Sequence, residues 1–204
     1  MRWISFLLLL VISVDARAGE VFLIPEDNPK PVYPRYLQRI GVTGDVRISF
    51  YVNADGSVDR VKVLESDNPD MSEAAMVAIE KWRFKPWMPG GELPTEQQVI
   101  ASLAFRLELD SPIHTNQWIK QLKCREVNEA LRDTPEYAWV DSPPFHYTRA
   151  YLSNTFHVTQ LPDEQRLAWI ALLNRKVPTI VRQCRSSPVI KFMNLLPTDI
   201  RNLL

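Results

Sequence analysis

From residue 45 to residue 52 the chain alternates polar and apolar side chains. Val46, Ile48, Phe50 and Val52 share one face, and Asp45, Arg47, Ser49 and Tyr51 the other. A period of two marks a half-buried strand. Asn53-Ala54-Asp55-Gly56 supplies a turn, with Gly56 suited to a positive φ. A second strand follows over residues 58–64, with Val61 and Val63 on one face and Arg60 and Lys62 on the other. The two strands make a β-hairpin. Upstream, the prolines at 25, 29 and 31 keep residues 20–31 extended. Tyr33-Pro34 then opens a short helix over 35–40, closed by Gly41 and Gly44. Downstream, Asp70 or Ser72 caps a helix reaching about Trp82. Its Ala75, Ala78, Ile79 and Trp82 stand at i, i+3, i+4 and i+7, a stripe for the hairpin's apolar face. Pro86 ends that helix, and Pro89-Gly90-Gly91 begins a loop. Residues 98–109 form a third strand whose middle (Ile100, Leu103, Ala104, Phe105) is apolar at both parities.

Past residue 110 the pattern changes. Glycine is absent from 111–204 and helical spacing replaces alternation. Trp118, Leu122, Val127 and Leu131 line one side of a helix over 117–132. Pro162-Asp163-Glu164 starts another, which carries Leu167, Ile170 and Ala171 with Leu173 or Asn174. Residues 178–185 and 197–204 are two shorter helices with proline in the first turn. Residues 141–151, with Ser142-Pro143-Pro144-Phe145-His146-Tyr147, read as a loop pinned onto these helices; exposed aromatics there would instead mark a partner surface. The architecture expected is α+β: a small three-stranded antiparallel sheet packed against one or two helices over residues 29–110, then an all-α extension over 111–204.

Composition adds compartment and charge. Arg2, the apolar run 3–14 and Ala16-Arg17-Ala18 have the form of a secretory signal (1–18) cut after Ala18, leaving a short extended linker over 19–28. The alternative is an uncleaved anchor, but a spanning helix needs about 20 apolar residues and Asp15 and Arg17 end this run early. An exported chain with two cysteines, Cys124 and Cys184, and no metal-like spacing is expected to form one disulfide, the alternative being two buried thiols. Residues 19–110 carry 15 acidic and 10 basic side chains, residues 111–204 carry 8 and 12. This asymmetry favours mutual attraction of two units. The basic residues form no stripe in sequence, so nucleic acid is not an expected partner.

Catalytic chemistry has no frame here. His114, His146 and His157 lack metal-ligand spacing and an acidic cluster, so no metal and no cofactor is expected. There is no Gly-x-Ser-x-Gly, no phosphate-cradling glycine loop and no Cys-x-x-Cys. Catalytic residues are expected to be none.

One set of punctuators, in order across about 80 residues, carries a likeness. It runs Tyr33-Pro34, Gly41 and Gly44 with Val46, Asp55-Gly56 with Val58, Ala75 and Ala78, Trp82-Arg83-Phe84-Lys85-Pro86, and Gly91. Over 29–109 the chain resembles the TonB C-terminal domain family; residues beyond resemble nothing named. The resemblance implies a module that grips an extended peptide of an outer-membrane transporter, the TonB box, along the edge of its last strand by β-augmentation. The residues it points to are Gln98, Ile100, Ser102, Ala104 and Arg106 on the third strand, with Lys30 and Tyr33 in the segment before the first helix. In well-studied members a polar residue, often glutamine, precedes the Pro-x-Tyr-Pro run; here Lys30 precedes Pro31-Val32-Tyr33-Pro34.

A full energy transducer of this family also carries a membrane helix with a functional histidine and a long proline-rich spacer. The first 18 residues here hold no histidine, and 19–29 spans at most about 40 Å. The expected role is therefore a periplasmic, non-enzymatic binding module whose partner is an extended peptide of an envelope or outer-membrane protein, with membrane contact only through an uncleaved segment. Two alternatives stand: a membrane-anchored energy transducer for receptor-mediated transport, and a structural or assembly protein whose helical unit covers the strand edge.

Overall fold

The structure, a computed structural model, describes residues 20–204; the expected signal over 1–18 lies outside the described residues. It is an α+β fold built on one antiparallel sheet. Strand β1 (Pro25–Asp27) precedes helix α1 (Arg35–Ile40), the hairpin β2 (Gly44–Asn53) and β3 (Val58–Ser66), helix α2 (Pro69–Ile79), the two-residue β4 (Arg83–Phe84) and the long β5 (Glu96–Phe105). The sheet order is β3-β2-β5, so the most regular sequence in the chain becomes the central strand. Val46, Ile48, Phe50 and Val52 are fully buried, against Leu37, Met71, Ala75, Ile79, Phe84 and Phe105. Period-two burial of β2 and the α2 stripe thus meet in one core.

Several boundaries differ from the sequence reading, each for a local reason. The α2 cap is Asn68, whose Oδ1 accepts the Asp70 amide at 2.9 Å, with Pro69 in the first turn, not Asp70 or Ser72. The helix stops at Ile79, short of Pro86; Trp82 lies beyond it, edge-on to Phe50 with centroids 5.7 Å apart, its indole N–H donating to Pro29 O. The third strand begins at Glu96 and ends at Phe105, four residues before the expected end. There the Arg106 guanidinium turns back onto Gly44 O (2.7 Å) and Asp45 Oδ2 (2.7 Å), and Leu107 is buried as the chain enters a 3-10 turn over Glu108–Asp110. The extended residues after 20 are not all linker, because β1 pairs antiparallel with β4 and Lys85 N–H donates to Ile24 O.

The second half is helical: α3 (Thr115–Gln121), α4 (Cys124–Ala130), α5 (Pro143–Leu152), α6 (Thr155–Gln160), α7 (Asp163–Ser186) and α8 (Thr198–Arg201). The expected helix over 117–132 breaks at Leu122 and Lys123. Leu122 O accepts from Phe192 N–H and Cys124 N–H donates to Ile190 O, diverting the backbone into a bridge between Lys123 and Lys191. The expected loop over 141–151 is mostly helix α5, because Pro143 and Pro144 occupy a first turn where missing N–H groups cost nothing. Residues 178–185 are no separate helix: α7 runs through Pro178, and its buried stripe (Ile170, Leu173, Val177, Ile180, Val181, Cys184) continues unbroken on both sides. Core packing there outweighs the bond that proline removes. A disulfide joins Cys124 on α4 to Cys184 on α7.

The two halves are docked. Arg166 on α7 donates to Gly41 O at 2.6 Å, Asn174 Nδ2 to Arg39 O at 2.7 Å, and Arg39 pairs with Asp141. Gly41 has φ +79°, and a Cβ built there would lie 2.3 Å from Ile170 Cδ1, so glycine permits both the α1 cap and the contact.

Burial pushes the imidazoles of His146 and His157 below their ordinary value of 6.5. The folded chain therefore takes up protons later than the unfolded one as pH falls, and the histidines' contribution, full above 6.5, is lost on acidification. We expect a lower melting temperature at pH 5.5 than at pH 7.5; two-variant comparison with His146→Gln and His157→Gln should flatten the difference.

Candidate functional site

A three-stranded sheet has two edges, and the sequence has made them unlike. The β3 edge is irregular and charged. Its register with β2 shifts between Arg47 and Ile48 and again between Ser49 and Tyr51, Arg60 sits at φ +48°, and Asp59, Arg60, Lys62 and Glu65 line it. Bulges and charges are the devices that keep a strand edge from accepting another chain. The β5 edge has neither. All ten residues of β5 pair with β2 without a shift, and from Gln97 to Phe105 there is no charged side chain. Among the described residues the β5 backbone pairs with β2 alone, and no element of the helical half packs along it. A flat row of outward N–H and C=O groups is therefore left for another strand.

Side chains on β5 alternate as its pairing requires. Val99, Ala101 and Leu103 lean on the core, while Gln98, Ile100, Ser102 and Ala104 face out, Ile100 at 53% exposure. Gln98 Nε2 donates to Ser49 Oγ at 3.0 Å. At the start of the strand Glu96 pairs with Arg60, whose guanidinium also lies 3.7 Å over the Tyr51 ring. At its end is the Arg106–Asp45 pair. The outer edge of β5 is thus uncharged between two tied charges.

The structure does not bring all seven expected contact residues together. Gln98, Ile100, Ser102 and Ala104 share the exposed face of β5. Arg106 is a latch, its guanidinium bound to Gly44 and Asp45 at the base of β2. Tyr33 belongs to the core: its hydroxyl donates to Val42 O at 2.6 Å, its ring meets Phe105 edge-on at 5.4 Å, and burial pushes its pKa up to about 12 against the opposing charges of Arg106 and Arg166. Its exposed neighbour Lys30 instead borders a groove of about 400 Å³ between residues 29–34 and α2, with Val32, Pro34, Glu73, Ala74 and Val77. Tyr33→Phe should lower stability by about 1 kcal/mol, the worth of one hydrogen bond, and leave the β5 edge intact; thermal melts with amide spectra check both.

One neighbour of the edge carries no signal in the sequence beyond the alternation of Val21 and Leu23. Residues 20–23 face Gln97, Gln98, Val99 and Ile100 across a groove of about 590 Å³, and Val21 N–H donates to Gln97 Oε1 at 3.0 Å. Among the described residues no group of three or more metal-capable side chains gathers, and no helix is long and apolar enough to cross a membrane.

Residues 29–107 match the family model described as Gram-negative bacterial TonB protein, C-terminal. Protein TonB of Pseudomonas aeruginosa is 40% identical over 79 residues, covering 38% of this chain and 23% of that protein. Protein TonB of Escherichia coli K12 is 36% identical over 79 residues, covering 38% and 30%. A solution structure of the Pseudomonas aeruginosa TonB C-terminal domain is 30% identical with a TM-score of 0.38, covering 47% of this chain and 97% of that one. The chain thus spans less than a third of the length of either relative, and the matched segment ends before the helical half. Residues 29–107 belong to the TonB C-terminal domain family.

Proposed function

We propose that the chain is an exported, non-enzymatic TonB-like protein of the cell envelope that serves outer-membrane transport by receiving an extended peptide of an outer-membrane partner on the outer edge of β5. The observation that carries this reading is the contrast between edges: β3 bulged and charged, β5 regular, uncharged and unpaired on its outer side among the described residues. Main-chain hydrogen bonds would supply affinity, and the outward Gln98, Ile100, Ser102 and Ala104 would meet alternate side chains of the peptide. In this reading residues 1–18 export the chain, 29–110 bind, and the helical unit over 111–204 buttresses the α1 side without crossing the receiving edge.

Alternation of the strand gives a clean test. Of two adjacent residues, one points its N–H at β2 and the other points it outward. Proline is therefore placed singly at Ala101 and at Ser102. One variant breaks the β2 ladder and loses fold by circular dichroism; the other keeps fold and loses one outward donor. The folded variant should bind a synthetic TonB-box peptide about tenfold more weakly than the parent. Unchanged binding in the folded variant would rule out pairing at this edge.

A further inference from the structure

The receiving edge is not uniform along its length. Residues from both faces of β5, Gln97 and Val99 on one side and Gln98 and Ile100 on the other, line the groove shared with residues 20–23, which places that groove at the strand's lateral edge. Over 101–105 no such wall is present among the described residues. Among the described residues the segment 20–23 is held firmly at its downstream end. Downstream, the Lys85 N–H to Ile24 O bond and the pairing of β1 with β4 fix its pivot. Upstream of that pivot the contact with β5 is slight. Val21 N–H bonds to the Gln97 side chain and not to the strand's backbone, Leu23 leans on the core, and Phe22 is 88% exposed.

We propose that residues 20–23 are a strap that occupies the first half of the receiving edge and competes with the incoming peptide for it. This deepens the function proposed above and rests on it. A partner strand pairs first with residues 101–105, then displaces the strap to extend over 97–100. Magnitudes favour this order. The strap's hydrogen bond to Gln97 is partly exposed and worth about fivefold in an equilibrium constant, and among the described residues its only core contact is the half-buried Leu23. A strand zipping over four more residues gains two or more main-chain bonds and uncovers at most the half-buried Val21 and Leu23. The strap thus sets a threshold: short segments bind the open half alone, and longer ones bind with the strap lifted.

Two substitutions in the full chain remove the strap's bond from opposite ends. Val21→Pro deletes the donor, and Gln97→Met keeps side-chain length while deleting the acceptor. Both leave β1 and the β2–β5 ladder in place. With a synthetic TonB-box peptide, each variant should bind about fivefold tighter than the parent, and the double variant no tighter than either single one. A peptide shortened to pair with 101–105 alone should show no gain. Binding to the parent with unchanged affinity in both variants would overturn the strap while the edge reading stands. No binding to any of the proteins would overturn the edge reading, and the strap with it. Tighter binding of the long peptide by Val21→Pro but not by Gln97→Met would also overturn it, since the bond could not then be the restraint.

Discussion

Gly56→Ala is expected to cost the TonB-like domain about 3 kcal/mol or more, a drop in melting temperature on the order of 15 °C. Gly56 closes the β2–β3 turn at φ +83°, where an L side chain is strained. Strain is the smaller part of the cost. A Cβ at this position would lie 1.9 Å from Phe84 O, a backbone atom that cannot rotate away. Phe84 is held from two directions: its own N–H donates to Gly56 O at 2.9 Å, and it pairs with Pro25 of β1. Relieving the clash means pulling β4 off the turn, which also uncovers Phe50, stacked against Phe84 at 6.4 Å. Hydrogen exchange should show the loss spreading from the turn into β2 and β4. A melting temperature within about 3 °C of the parent would mean the turn relaxes without disturbing β4, contrary to this packing.

The second large effect concerns the helical half. Replacing Cys124 and Cys184 together by alanine should lower stability by about 4 kcal/mol, from the chain entropy released when a closed loop of about 60 residues is opened. Both cysteines are fully buried, so the disulfide also packs α4 against α7, and loss of the sulfurs adds a packing deficit. Burial carries a kinetic corollary: a reductant reaches the bond only after local opening, and the native chain should resist reduction that the heated chain does not. Melting of parent and double variant, with and without dithiothreitol, checks this. Equal melting temperatures for parent and double variant would show that core packing alone holds α4 on α7.

How much of this was legible in the sequence depended on how local each determinant was. Alternation from Val46 to Val52, the Asp55-Gly56 turn and the Ala75–Ala78–Ile79 stripe are decided within a few residues, and they fold as their pattern reads. Strand β5 was visible but its end was not. Phe105 is the last paired residue because Arg106 folds its guanidinium back on Gly44, 62 residues away in sequence. The pairing of β1 with β4 escaped for the same reason, since two- and three-residue strands exist only through each other. In the helical half, proline misled in both directions. It opens α5 where a loop was expected and lies inside α7 where a start was expected, because tertiary burial on either side decides the matter. Of the proposed contact residues, the outward set Gln98, Ile100, Ser102 and Ala104 followed from the resemblance together with strand parity. Tyr33 and Arg106 carry the right chemistry for contact but spend it inside the fold, which only three-dimensional partners reveal. The strap is invisible to sequence because its bond joins residues 76 apart.

The central claim is that the outer edge of β5 completes its backbone hydrogen bonds with a partner strand. Amide hydrogen exchange read residue by residue, with and without a synthetic TonB-box peptide, tests it directly. The account predicts that added peptide protects alternate amides between Gln97 and Phe105, those whose N–H groups point away from β2, while the β3 edge from Asp59 to Glu65 exchanges as before. Protection confined to β3, or to the groove beside Lys30, or absent from every outward amide of β5, would contradict it.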